Sequence, residues 1–326
     1  MKKRKLRILI VGAGDVARRL TTRIGLNDRA RWLGLARSET TANELRDAGI
    51  LPVAADLDVR ASLGRAGSLA RSADAVLHLA PPATEGNDDV RMRRWLAAVA
   101  RRRTSGRRVR AKSDAPRASE HVTRRARALR SVYVSTTGVY GDCAGERIDE
   151  TRRARPENAR AKRRIAAETR VRTARRQRFA ILRAPGIYAA ERLPVERLRA
   201  GIPALSAADD VFTNHIHADD LAHAVWLAIF RGGPGRVANI VDDSELKMGE
   251  YFELVADAVG LPHPPRMDRL QLKQNVSPML YSFMSESRRI ANVRMKRELR
   301  LQLKYATPAA FLKHMKPAAA LQRPLL

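Results

Sequence analysis

The stretch Gly12-Ala13-Gly14-Asp15-Val16-Ala17 constrains this chain more than any other. It follows directly on Leu6-Arg7-Ile8-Leu9-Ile10-Val11, a short apolar, β-branched run that reads as a buried strand, and it opens a helix. As a pattern it is G-x-G-x-x-A. Gly12 permits a tight turn out of the strand, Gly14 lets backbone approach a pyrophosphate, and Ala17 allows the helix to pack closely on the strand. Asp15 and Val16 begin the helix, whose free N–H groups and positive dipole end would face the phosphates. Strand, loop and helix in this order point to a dinucleotide site.

Further apolar runs recur with helical stretches between them: Trp32–Ala36, Leu51–Ala55, Ala75–Leu79, Ser131–Ser135 and Phe179–Arg183. Strands that are nearly continuous in apolar residues and alternate with helices imply a parallel sheet covered on both faces, the α/β doubly wound architecture. After about Ala190 the elements shorten. A helix is expected over Met248–Val259, stopped by Gly260-Leu261-Pro262-His263-Pro264-Pro265. The chain therefore divides into a nucleotide-binding domain over 1–190 and a smaller C-terminal α/β substrate lobe over 191–326, with 211–241 returning to the first domain's core.

The formal net charge of +29 raises nucleic acid as a partner, yet eleven lysines among 63 basic residues leave 52 arginines, a bias that GC-rich coding also produces. Residues 101–130 hold twelve basic residues and two acidic ones, Asp114 and Glu120, and read as a solvated, partly disordered insertion. The segment has no aromatic residue to stack on bases, so only salt-dependent phosphate contact remains as a nucleic-acid reading. No apolar run approaches the roughly 18–20 residues that span a bilayer, which argues against a membrane partner. Met1–Lys5 resembles the start of a signal peptide, but the apolar stretch behind it is broken by Arg7 and runs into the glycine loop. With one cysteine, Cys143, no internal disulfide can form, and a cytoplasmic location is expected.

The second strand's end reads Ala36-Arg37-Ser38 where an NAD-selective site would carry a carboxylate for the ribose 2′-OH. Arg37 and Ser38 suit a 2′-phosphate instead. NADP is the expected cofactor, with NAD the other candidate. Asp56, just after the third strand, is placed to accept a hydrogen bond from the adenine amino group.

Five segments in order resemble the extended or atypical short-chain dehydrogenase/reductase superfamily, in its NAD(P)-dependent epimerase/dehydratase-like group. They are the glycine loop, Asp74–Pro82, Ser135-Thr136-Thr137-Gly138-Val139-Tyr140-Gly141, Leu182–Tyr188 and Asn214–Ala222. The resemblance implies a Rossmann domain in which Leu79, Ala80 and Pro81 line the cofactor and Pro185 and Ile187 lie near the nicotinamide. It also implies that Thr136 orients a substrate carbonyl. The family's acid/base is a tyrosine four residues before a lysine; with Lys162 as that lysine, on a helix over Ala159–Thr173, Asn158 stands where the tyrosine belongs, and an amide has no proton to exchange near neutral pH. Tyr140 and Tyr188 are candidate substitutes. The implied function is an NAD(P)-dependent oxidoreductase or epimerase/dehydratase-like enzyme acting on a small carbonyl, hydroxyl or sugar-type substrate. The alternative is a non-catalytic NADP-binding regulatory module. A homodimer is common among such relatives. His215 and His217 could share one face of a strand but lack a third ligand at zinc-like spacing, so no metal is expected; Cys143 has no identifiable histidine partner, and Arg288 and Arg289 could pair within the lobe or meet an anionic substrate.

Overall fold

The computed structural model describes residues 4–22, 29–100 and 128–315. The basic segment expected to be a solvated insertion thus lies almost wholly outside the described residues. Seven parallel strands form the central sheet: β1 (Leu6–Val11), β2 (Ala30–Ala36), β3 (Leu51–Ala54), β4 (Ala75–His78), β5 (Leu129–Thr136), β7 (Gln177–Ala184) and β11 (Val237–Asn239). The connecting helices are α1 (Asp15–Thr22), α2 (Glu39–Asp47), α3 (Leu63–Ser72), α4 (Val90–Ala100) and α5 (Ala159–Arg172). The remaining pieces are the short strands β6 (Arg147–Ile148), β8 (Gly186–Tyr188), β9 (Ala204–Leu205) and β10 (His215–His217), with α6 (Val195–Arg199), α7 (Ala218–Arg231) and α8 (Met248–Val259).

Spatially the strands run β11-β7-β5-β4-β1-β2-β3. The order reverses between β1 and β4, so the helices leave the sheet in opposite directions there and a crevice opens beyond the carboxyl ends. The fold is the doubly wound α/β architecture read from the sequence. Ile8, Leu9, Ile10 and Val11 are completely buried because both sheet faces are covered. One core cluster joins Ile8 and Ile10 to α1 and α7; the other joins Leu9 and Val11 to α3, α4 and α5. At about 1.5–3 kcal/mol per fully buried large aliphatic side chain, these two layers dominate the fold's stability.

The smaller lobe contains α6, α8 and the two-stranded parallel pair of β9 with Arg266–Met267, packed around Leu198, Tyr251, Phe252 and Val255. The helix α8 ends at Gly260, whose left-handed φ of +67° suits glycine at a C-cap. Between the two lobe segments, α7 packs on the core and β11 adds the edge strand beside β7.

Candidate functional site

At the nucleotide end, Val11 carbonyl accepts hydrogen bonds from both Leu79 N (2.8 Å) and Ala80 N (3.0 Å), drawing the loop after β4 against the end of β1. Gly12 fits this junction only as glycine. Its φ is +88°, and an added Cβ would stand 2.3 Å from Ala80 N. Gly14 is the opposite case: a Cβ there would meet nothing within 4 Å. The loop therefore presents open backbone at Gly14 beside the first turn of α1, the cradle that a pyrophosphate requires.

A cleft of about 380 Å³ lies in front of this loop, bounded by Gly12, Gly14, Arg37, Asp56 and the Leu79-Ala80-Pro81 segment. Arg37 makes no hydrogen bond or ion pair among the described residues; its neighbour on the wall, Arg91, is occupied by Asp58 and by the carbonyls of Pro81 and Pro82. Asp56 accepts a hydrogen bond from Asp58 N (2.8 Å), which fixes its carboxylate at the cleft's edge. The Ser38 hydroxyl caps α2 by accepting from Thr41 N, and Thr41 lines the cleft. Asp15 and Val16 form the first turn of α1, but Asp15 gives its carboxylate oxygens to Arg19 and Arg192 (2.9 Å each), and Val16 packs on the core.

At the reaction end, a second cleft of about 410 Å³ opens where β5, α5 and the lobe meet. Thr136 ends β5 and lines it; its Oγ1 accepts from Gly138 N (3.3 Å), which leaves the hydroxyl proton free to donate. Pro185 and Ile187 line the same cleft, as do Asn158, Arg160 and Ala161 from the start of α5. Asn158 is the N-cap of α5: its Oδ1 accepts from Ala161 N (2.9 Å) and its Nδ2 donates to Glu286 (3.4 Å).

Two expected catalytic groups are not brought to this cleft. Lys162 is exposed on the outer side of α5. Tyr140 is 1 % exposed; its hydroxyl donates to Asn239 (2.8 Å), the Arg183 guanidinium covers its ring at 4.7 Å, and burial pushes its pKa up. Tyr188 is likewise buried, among the rings of His215, His217 and Phe311. The helix phase explains Lys162. Glu168, completely buried, accepts from Arg183 through both oxygens (3.0 and 2.7 Å) and so sets which face of α5 points inward. Four residues before it stands Arg164, and four before that Arg160.

Arg164 is the group that sequence reasoning missed. It is buried, and its Nη1 donates to Val134 carbonyl (2.9 Å), Tyr133 Oη (3.2 Å) and Ala80 carbonyl (3.4 Å), spanning the ends of β4 and β5. The arginines at 160 and 164, four apart like the family's tyrosine and lysine, carried the signal, with the buried Glu168 four residues further on fixing the phase. His215 stacks on Tyr251 at 4.1 Å between ring centres, and His217 caps α7 by accepting from Asp219 N. Cys143 is buried, and burial raises its thiol pKa. Arg288 pairs with Glu286 and with Gly141 carbonyl (2.7 Å each), while Arg289 donates to Gly145 carbonyl. Among the described residues no helix is long and apolar enough to cross a membrane.

The family model described as NAD dependent epimerase/dehydratase matches residues 8–240. No curated protein matches the chain. Among solved structures, a functionally unknown conserved protein from Silicibacter pomeroyi DSS is 27% identical, with a TM-score of 0.73 over 97% of this chain and 100% of that one. The UDP-glucose 4-epimerase of Thermotoga maritima, solved with UDP-glucose, is 15% identical (TM-score 0.69; 94% and 96% covered). The UDP-glucuronic acid 4-epimerase of Bacillus cereus, solved with NAD, is 14% identical (TM-score 0.66; 94% of each chain). The two epimerases share the fold with this chain.

Proposed function

The chain belongs to the NAD dependent epimerase/dehydratase family, and we propose that it is an NADP-preferring oxidoreductase or epimerase acting on a small carbonyl, hydroxyl or sugar-type substrate. One observation carries this reading: the open backbone at Gly14 and the hydroxyl of Thr136 face clefts on the same carboxyl edge of the sheet, on either side of the point where strand order reverses. Arg37, which makes no hydrogen bond among the described residues and only a longer-range attraction to Asp58, supports the preference for NADP, since its unused donors would match a 2′-phosphate better than a 2′-hydroxyl.

The nicotinamide supplies or accepts hydride when bound. Gly12 and Gly14 would hold its pyrophosphate, and Arg37 its 2′-phosphate. Asp56 would receive the adenine. Thr136 donates its hydroxyl proton as a hydrogen bond to the substrate oxygen and orients the carbonyl. Arg164 ties Ala80 to Val134 and keeps the two strand ends at a fixed separation. No tyrosine or lysine lines the reaction cleft among the described residues.

That same lining favours a second reading, a non-catalytic NADP-binding regulatory module. The test separates them. Loss of nicotinamide absorbance is followed with NADPH and a panel of small aldehydes, ketones and keto sugars, in wild type and Thr136→Val. The enzyme reading expects turnover that Thr136→Val lowers by about ten-fold or more, with NADPH affinity unchanged. Stoichiometric NADPH binding without turnover across the panel would establish the regulatory module instead.

A further inference from the structure

We infer that Arg160 is a carboxylate-binding residue at the reaction cleft, so that the substrate carries a carboxylate. The inference rests on the cleft reading above and names the substrate class it takes.

Arg160 lines the cleft together with Thr136 and Asn214. It differs from the other arginines around it. Arg163 donates to Gly86 carbonyl (2.6 Å), Arg164 to Val134 carbonyl, Arg192 to Asp15, and Arg288 to Glu286 and Gly141 carbonyl. Arg160 has no hydrogen bond or ion pair among the described residues; its one recorded contact is with the Phe283 ring, 5.4 Å from its Cζ. The only carboxylate in the cleft wall among the described residues, Glu286, is already engaged by Arg288 and by the Asn158 amide. The wall is therefore short of one negative charge. Arg160 is largely exposed at the cleft, and desolvation of its inner part, together with the like charges of Arg164 and Arg163, lowers its pKa.

An anion that enters the cleft relieves this. A guanidinium presents parallel N–H groups at the spacing of two carboxylate oxygens, a fork-to-fork match. The number of free forks selects among anions. Among the described lining residues Arg192 and Arg288 already pair with Asp15 and Glu286, so Arg160 offers one unused fork, which one carboxylate fills, whereas a diphosphate would find no second. Phe283, on Pro278–Met284 of the lobe, places its ring 5.4 Å from the Arg160 guanidinium carbon.

The test uses oxamate as the monoanionic probe, oxamide as its neutral match, and inorganic pyrophosphate as the polyanion. Each is titrated calorimetrically into full-length protein with and without saturating NADPH, in wild type, Arg160→Gln and Arg160→Lys. The expected result is oxamate binding about ten-fold or more tighter than oxamide. That advantage should disappear in Arg160→Gln and survive in part in Arg160→Lys, with NADPH affinity equal in all three proteins. Equal binding of oxamate and oxamide, no oxamate binding at tens of millimolar, a preference untouched in Arg160→Gln, or tighter binding of pyrophosphate than of oxamate would each overturn the inference. Failure of NADPH to bind counts against the cofactor reading alone, because the oxamate comparison is also made without nucleotide.

Discussion

The two ends of the carboxyl-edge crevice are built differently. The nucleotide end is shaped by backbone: a glycine forced into positive φ, a second glycine with open space before it, and one carbonyl, Val11, that gathers two amides. The reaction end is shaped by side chains from segments far apart in sequence, including Thr136, Arg160, Ile187, Met248 and Phe283. Backbone shape depends on a few contiguous small residues, so it tolerates little change and is recognisable across relatives. A wall of converging side chains can be exchanged piece by piece while the frame stays, which is how an asparagine, Asn158, can stand where a tyrosine is expected. The difference teaches where the family signature ends and this chain's own chemistry begins.

The largest effect should come from the frame behind the reaction end. Glu168 and Arg183 form a completely buried, two-pronged ion pair beneath the Tyr140 ring. Removing one partner leaves an uncompensated buried charge, so Glu168→Ala should cost about 3–5 kcal/mol in urea unfolding. A cost under about 1 kcal/mol would mean that this end does not depend on its ionic scaffold.

A second prediction separates the two glycines. Gly12→Ala places a Cβ against Ala80 backbone at positive φ and should cost about 2–3 kcal/mol of stability. Gly14→Ala should leave the unfolding midpoint within about 1 °C of wild type while weakening nucleotide binding about ten-fold, because its Cβ occupies only the space meant for the ligand. Should both variants lose stability alike, the nucleotide end is not the backbone cradle described.

A further prediction concerns pH. Asp242 lies behind the reaction end, its N–H bonded to His215 carbonyl, and burial pushes its carboxyl pKa up to about 7, with Asp243 adding to the rise and Ser244 opposing it. The unfolded value is the ordinary 3.8, so the folded state holds this proton more tightly. The stabilisation is complete below that ordinary value and is lost as pH rises through about 7. Asp242→Asn should flatten this part of the stability–pH profile and unfold at higher temperature than wild type above neutral pH. Parallel profiles for the two proteins would contradict it.

The geometry of the nucleotide end was legible because it depends on six consecutive residues, 12–17, that turn out of β1 into α1, with Arg37 at the next strand end lining the same cleft. The helix over Met248–Val259 and its stop at Gly260 were equally local. The reaction end was legible only in part. Thr136, Pro185 and Ile187 followed from strand-end motifs. The phase of α5 did not, because Asn158 lies before the helix as its cap, and only the buried Glu168 shows that the inward stripe runs through Arg164. The capping role of Ser38 was open for a similar reason: a serine before a helix is as ready to cap it as to meet a ligand. Phe283 and Met248 could not be foreseen, since nothing local marks which lobe residues fold back over the sheet.

Calorimetric titration with NADPH and NADH, in wild type and Arg37→Ala, tests the central claim most directly. The account predicts one nucleotide per chain, NADPH about ten-fold or more tighter than NADH, and a gap that closes in Arg37→Ala while NADH affinity holds. Neither nucleotide binding at millimolar concentration would contradict it.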